Sequence, residues 1–191
     1  MGDGGPREIE VKFRLDGRTA FEERLAAAGA GREGTESERN VLFDDEAGSL
    51  KAAGCALRLR TTGRGALLTY KGKASFSGGV KSRLELESAV GKPGAISALL
   101  AELGYVPQFT YEKRRTTWRF PDPSRPLVVV DETPLGLFAE IEGADAAVRA
   151  LAAELGVSES AFLPESYVGL WMKAREADPA LPPDMLFPAG A

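Results

Sequence analysis

An α+β fold is expected, in which an antiparallel sheet closes into a barrel with a charged polar lumen and helices packed outside. Strand-like segments alternate apolar and charged residues almost without break, and amphipathic stretches lie between them. The chain also aligns with itself when shifted by 75 residues. Each such strand has an apolar side that helices can cover and a charged side that suits a channel.

Residues 8–15 place Ile9, Val11, Phe13 and Leu15 on one face, with Glu8, Glu10, Lys12 and Arg14 on the other. A helix over 19–29 follows, with Phe21, Leu25 and Ala28 inward and Gly29 as its stop. Residues 57–60 and 68–73 alternate again and set Arg58, Arg60, Lys71 and Lys73 on the polar face. Residues 83–87 add Arg83, Glu85 and Glu87. A second helix spans 93–104, with Ile96, Leu99, Leu100 and Leu103 as its apolar side and Gly104 at its end. Lys113 and Arg115 share a face of the next strand, residues 127–131 are apolar up to Asp131, and Glu140 and Glu142 flank Ile141. Helices over 145–156, anchored by Val148, Leu151 and Leu155, and over about 166–177, anchored by Leu170 and Trp171, complete the plan.

A solvated sheet face usually dilutes its charges with Thr, Ser, Gln and Asn, and these strands do not. Burying an ion costs on the order of several kcal/mol unless it is paired or liganded. So dense a mixture of acids and bases suits a highly charged ligand and its metal ions. In the repeat, Glu10 falls on Glu85, Leu25 on Leu100, Gly29 on Gly104, Thr35 on Thr110, Arg39 on Arg114 and Phe43 on Trp118. Each half reads as an acidic strand, a helix ending in Gly and a strand ending in an aromatic. Two such β-α-β units make a barrel with a pseudo-twofold axis.

Composition narrows the chemistry. The 191 residues carry 24 Lys and Arg against 28 Asp and Glu, a net charge of −4, which excludes polyanion binding by bulk charge and with it a nucleic-acid partner. The absence of His removes Ser-His-Asp catalysis, imidazole ligands and the H-E-x-x-H zinc motif. Cys55 stands alone, so neither an intrachain disulfide nor a thiolate zinc site can form. Gly72-Lys73 and Gly91-Lys92 lack the spacing of a P-loop, and no G-x-G-x-x-G occurs. Residues 1–6 have no signal-peptide core and no apolar run approaches a membrane span, so a cytoplasmic protein without a membrane partner is expected. Residues 1–7 read as a flexible N-terminus and the Pro-rich residues 178–191 as a loosely held tail, where Met185, Leu186 and Phe187 are able to dock. What remains is carboxylates suited to Mg²⁺ or Mn²⁺ beside Arg and Lys suited to phosphates, the requirements of a metal-chelated polyphosphate.

The motifs Glu8-x-Glu10-x-Lys12, Leu57-Arg58-Leu59-Arg60, Leu68-Thr69-Tyr70-Lys71-Gly72 and Ser82-Arg83-x-Glu85-x-Glu87 resemble those of the CYTH superfamily. Glu112-Lys113-Arg114-Arg115, Asp131, Leu135-Gly136, Glu140-Ile141-Glu142 and Ser166-Tyr167 continue the resemblance in the same order, over about residues 8–172. That superfamily contains class IV adenylyl cyclases, thiamine triphosphatases and inorganic triphosphatases, also called triphosphate tunnel metalloenzymes. The resemblance implies a single domain over residues 8–177, built as an eight-stranded antiparallel tunnel for a small-molecule triphosphate and a divalent metal, Mg²⁺ or Mn²⁺.

By that resemblance Glu8, Glu10, Asp131, Glu140 and Glu142 supply or support metal ligands. Lys12, Arg58, Arg60, Lys71, Arg83, Lys113 and Arg115 grip the triphosphate, with Glu10 and Lys12 at the catalytic centre. Glu85, Glu87 and Tyr167 support them. Val129 stands where some relatives carry a further acid, and the His-Phe pair of one cyclase branch is missing. The expected activity is metal-dependent hydrolysis of inorganic triphosphate or a small organic triphosphate such as thiamine triphosphate or a nucleotide. The runner-up is an adenylyl cyclase forming cyclic AMP and pyrophosphate; a non-catalytic polyphosphate or nucleotide sensor is a third reading. The oligomeric state is left open, a homodimer being one arrangement.

Overall fold

A computed structural model of the chain describes residues 6–188 and Gly190. Residues 1–5 of the expected flexible N-terminus lie outside the described residues, and Arg7 already opens the first strand. The elements run β1 (Arg7–Arg14), α1 (Arg18–Ala27), β2 (Gly31–Asp44), α2 (Ser49–Ala52), β3 (Ala56–Thr62), β4 (Gly65–Lys71), β5 (Ser75–Ser77) and β6 (Val80–Val90). They continue α3 (Pro93–Glu102), β7 (Val106–Arg119), β8 (Leu127–Thr133), β9 (Gly136–Glu142), α4 (Asp145–Glu154) and α5 (Tyr167–Ala177). Eight strands pair in the order β1-β9-β8-β7-β2-β3-β4-β6, and a β1–β6 pairing closes the ring. β5 is an extra strand on the edge of β6. The expected closed eight-stranded antiparallel barrel with helices outside is thus the observed fold.

The repeat is visible in the register. Shifted by 75, α1 coincides end to end with α3, and β2 with β7. β2 pairs with β7 about Glu38↔Lys113, and β1 with β6 about Glu8↔Arg83, so in both seams the central residue faces its own repeat counterpart. Both repeat helices stop at a glycine in the left-handed region, Gly29 at φ 89° and Gly104 at φ 85°, where a side chain would be strained.

The apolar strand faces point outward into helices. Val11, Phe13, Val128, Val130, Ala139 and Ile141 are sealed beneath Phe21 and Leu25 of α1 and Val148 and Leu151 of α4. Across the barrel, Phe43, Leu59 and Ala66 are covered by Leu100 and Ile96 of α3. Here one expectation is corrected. Leu99 and Leu103, placed on the covering side of that helix, are 53% and 65% exposed, because α3 buries only the narrower stripe through Ile96 and Leu100. Lys73, expected to continue the polar face of β4, lies beyond that strand's end at Lys71 and is exposed.

The tail is tied down as well. Met185 is fully buried and forms a parallel bridge with Tyr111, its N–H donating to the Thr110 carbonyl. Trp171 Nε1 donates to the Pro182 carbonyl, and the Arg114 guanidinium lies over the Phe187 ring. The Met185 bridge and the Pro182 bond use the tail's backbone, which side-chain composition alone does not advertise.

Candidate active site

Period-two alternation aims one charged row per strand at the barrel axis. From the β2–β7 seam come Glu38, Asn40, Tyr111, Lys113 and Arg115, joined by Arg58 and Arg60 of β3. Glu38 is the counter-charge of this wall: its carboxylate lies 3.4 Å from Arg60, 3.6 Å from Lys113 and 4.0 Å from Arg115. Burial alone would raise its pKa, but Lys113, Arg115 and Arg60 outweigh that and hold it at about 2. Arg60 donates to the Asn40 side chain at 3.3 Å, and Arg58 donates to Thr69 at 3.3 Å and Tyr111 at 3.5 Å. Burial, followed by the charges of Arg58 and Arg115, pushes the Arg60 guanidinium below its usual range. Arg58 Nε is buried without a hydrogen-bond partner, an uncommon state for an N–H and the condition of a donor that a ligand oxygen would satisfy.

The opposite wall belongs to the β1–β6 seam and β9. Lys71 donates to Glu85 at 2.6 Å and to Glu8 at 2.9 Å, Arg83 donates to Glu8 at 3.2 Å, and Lys81 donates to Glu10 at 2.6 Å. Lys12 pairs with Glu140 at 3.1 Å. Burial would lower the Lys12 ammonium's pKa, but Glu140 and Glu10 raise it, so it stays charged. Burial likewise opposes ionisation of Glu140, and Lys12 and Arg115 hold it well below the carboxylate range. Glu142, at the exposed rim, is pushed up to about 7 by lost solvation and then by the charges of Glu8 and Glu10.

Asp131, expected to supply or support metal ligands, is fully buried. It has no exposed surface: its oxygens accept from Arg115 at 2.8 and 2.6 Å, Lys113 at 2.9 Å and the Tyr167 hydroxyl at 2.8 Å. Tyr167, at the start of α5 where Ser166 caps the helix, also sets its ring 4.1 Å from the Lys12 ammonium. Of the other supporting residues, Glu85 joins Lys71, and Glu87 accepts from Thr69 at 2.9 Å near the rim.

Two cavities share Glu8, Arg60 and Arg115 in their walls and together make the tunnel. One, about 380 Å³, opens between charged residues such as Glu33, Glu87, Arg119 and Glu142, with Val129 beside them. The other, about 610 Å³, holds Glu10, Lys12, Arg58, Lys71, Arg83, Lys113 and Glu140. It widens toward α2 and α5 into a vestibule of Leu42, Leu50, Leu57, Phe109, Val168 and Met172. All potential metal ligands are carboxylate oxygens, the donors that hard divalent cations prefer. Two of them, Glu8 and Glu10, lie close enough to add to the effect of burial in raising Glu142. Among the described residues no three acids already converge on one ligating point, because Glu8 and Glu10 engage lysines. By the chemistry of its donors the set fits Mg²⁺ or Mn²⁺.

Sequence reasoning missed Glu38, Asn40, Tyr111 and Lys81. All four carry a sequence signal: the repeat maps Glu38 onto Lys113 and Asn40 onto Arg115. Extending the Arg83 alternation back by two residues gives Lys81, and the Lys113 alternation gives Tyr111.

A closed tunnel of this fold, with alternating acids and bases on its wall, defines a family. The sequence matches the CYTH domain family over residues 6–167, and the chain belongs to it. Among solved structures it is similar to a candidate adenylate cyclase from Vibrio parahaemolyticus, with 20% identity and TM-score 0.75 over 88% of this chain and 99% of that one. It is similar also to a protein from Pyrococcus horikoshii (22%, TM-score 0.71, 88% and 99%). A third is a candidate adenylyl cyclase from Hippeastrum, described as having a dominant triphosphatase activity (19%, TM-score 0.66, 87% and 96%). No curated protein matches the sequence significantly. No described helix is long and apolar enough to cross a membrane.

Proposed function

We propose that this chain is a divalent-metal-dependent hydrolase of small organic triphosphates, whose phosphates lie in the tunnel and whose organic group rests in the apolar vestibule. The observation that carries the reading is the crowding of Arg58, Arg60, Lys113 and Arg115 in one wall, with the Arg58 Nε donor unsatisfied and Arg60 pressed below its usual range. Like charges held this close are stabilised by an anion of high charge, and planar guanidiniums meet phosphate oxygens in pairs. Lys12, Lys71 and Arg83 reach the same cavity from the other side.

Glu8, Glu10, Glu140 and Glu142 would hold Mg²⁺ or Mn²⁺. When bound, the cation neutralises phosphate charge and makes water a stronger nucleophile. The chain's own part is positioning and electrostatics. Asp131 acts as an anchor in this reading, orienting Arg115, Lys113 and Tyr167 through bonds that take up its oxygens. Lys12, kept charged by Glu140 and Glu10, is placed to balance the negative charge that builds on the phosphate oxygens as water adds to phosphorus and the bridging P–O bond breaks. The vestibule supports an organic over an inorganic triphosphate, since inorganic triphosphate has nothing to bury against Leu50, Phe109 and Met172.

The test is to incubate the protein with ATP, thiamine triphosphate and inorganic triphosphate in Mg²⁺ or Mn²⁺ and identify the products. Diphosphate product with released phosphate, faster from an organic substrate, supports the reading. Cyclic AMP with pyrophosphate would replace it by the cyclase, and the absence of turnover by a sensor.

A further inference from the structure

Helix α3 is apolar on two sides. Ile96 and Leu100 pack onto the barrel, while Lys92, Ala95, Ala98, Leu99, Glu102 and Leu103 follow helical spacing along one outward face. Leu99 and Leu103 are 53% and 65% exposed. The other long helices turn charges outward, such as Glu23 in α1, Arg149 and Glu154 in α4, and Lys173 and Glu176 in α5, whereas the outer face of α3 is uncharged between its two ends. A helix apolar all round belongs in a buried setting. Beside it the outer sheet face stays open, with Leu86 47% exposed and Tyr70 half-buried opposite it in the ladder.

We propose that α3 pairs with α3 of a second copy of this chain, antiparallel about a twofold axis. The two ends of the helix select this occupant. Lys92 precedes α3 and Glu102 ends it, and neither has an ion-pair partner among the described residues. They stand ten residues and therefore about 15 Å apart along the helix. An antiparallel pair sets each Lys92 against Glu102 of the other copy, so one chain supplies both halves of a self-complementary surface. The axis passes near Ser97 and Ala98, where small side chains let two helices approach to about 8–10 Å. The outward leucines then fill the space on either side, and Leu86 and Tyr70 extend the apolar contact.

Sedimentation velocity on the full-length protein and its variants tests the pairing. The wild type should be dimeric at micromolar concentration. Leu99→Glu, which alters an exposed side chain, should be monomeric with its melting temperature and triphosphate turnover retained. Lys92→Glu and Glu102→Lys should each raise the dimer dissociation constant by about tenfold. Mixed together, these two variants should form a heterodimer, because both end contacts again join opposite charges. A wild type that stays monomeric at about 100 µM overturns the proposal, as does a dimer that survives Leu99→Glu or a mixture that shows no preference for the heterodimer.

Discussion

The two seams of the barrel descend from the same repeated strand pattern and carry different chemistry. At the β2–β7 seam, Glu38 is ringed by Arg60, Lys113 and Arg115, and the wall is dominated by bases. At the β1–β6 seam, Glu8, Glu10 and Glu85 divide Lys71, Lys81 and Arg83 among them, and Glu142 beside them is crowded by acids. Equivalent positions have changed sign or character: Glu8 answers to Arg83, Glu38 to Lys113 and Asn40 to Arg115. The repeated strand pattern sets where side chains point, and different residues at those points leave one wall richer in bases and the other richer in acids. Each seam centre pairs opposite charges, Glu8 with Arg83 and Glu38 with Lys113.

If the walls differ in this way, their variants should fail differently. The largest effect is expected at Arg115, which holds Asp131 and Glu140 and faces both cavities. Arg115→Ala should lower kcat/KM by roughly a hundredfold or more, the scale of lost charge-assisted phosphate contacts at ~1.4 kcal/mol per tenfold. Extra Mg²⁺ should not rescue it. Arg115→Lys keeps a charge beside the buried acids and separates loss of phosphate contact from loss of folding. On the acid wall, Glu10→Gln should lose most activity at low Mg²⁺ and regain part of it as Mg²⁺ or Mn²⁺ is raised, while EDTA abolishes turnover in the wild type. Equal metal dependence in both variants would erase the distinction between the walls.

Glu38 should be felt through pH. Its folded pKa of about 2 lies below the usual 4.5, so the stability it contributes is present above pH 4.5 and is lost as pH falls toward 2. That contribution is on the order of 3 kcal/mol at neutral pH. Denaturant melts of Glu38→Gln should therefore show lower stability than wild type at pH 7 and a shallower decline below pH 4.5. A parallel offset at every pH would assign the effect to packing. The smallest effect is expected at Arg114, which turns outward to Glu132 and the Phe187 ring. Arg114→Ala should leave kinetics nearly unchanged and shift stability by about 0.5 kcal/mol or less. A damaging Arg114→Ala beside a harmless Arg115→Ala would mean that the register of β7 is off by one.

The pattern was readable wherever the outer face is apolar. In β1, Ile9, Val11 and Phe13 mark the outside and leave Glu8, Glu10 and Lys12 for the lumen. The opening half of β2 hid its chemistry because both of its faces are polar: Ser37 and Arg39 point outward, and Arg39 pairs with Glu112 across the ladder. With no apolar row to contrast against, Glu38 and Asn40 gave no alternation. Lys81 follows the Gly78-Gly79 turn of a short hairpin, where a strand's beginning is hard to place. The exposure of Leu99 was also illegible, since helical spacing shows that a residue is apolar but not whether a neighbour exists to cover it. Asp131 sat on the lumen-facing side as expected, but alternation carries no signal of its complete burial.

Isothermal titration of the protein with a nonhydrolysable nucleoside triphosphate, with and without Mg²⁺, probes both walls at once. Binding should be tight and saturable with metal, weaker in EDTA, and lost in Arg115→Ala under either condition. Affinity that is the same in EDTA as in Mg²⁺, or that survives Arg115→Ala, would contradict a tunnel in which one wall holds the phosphates and the other their cation.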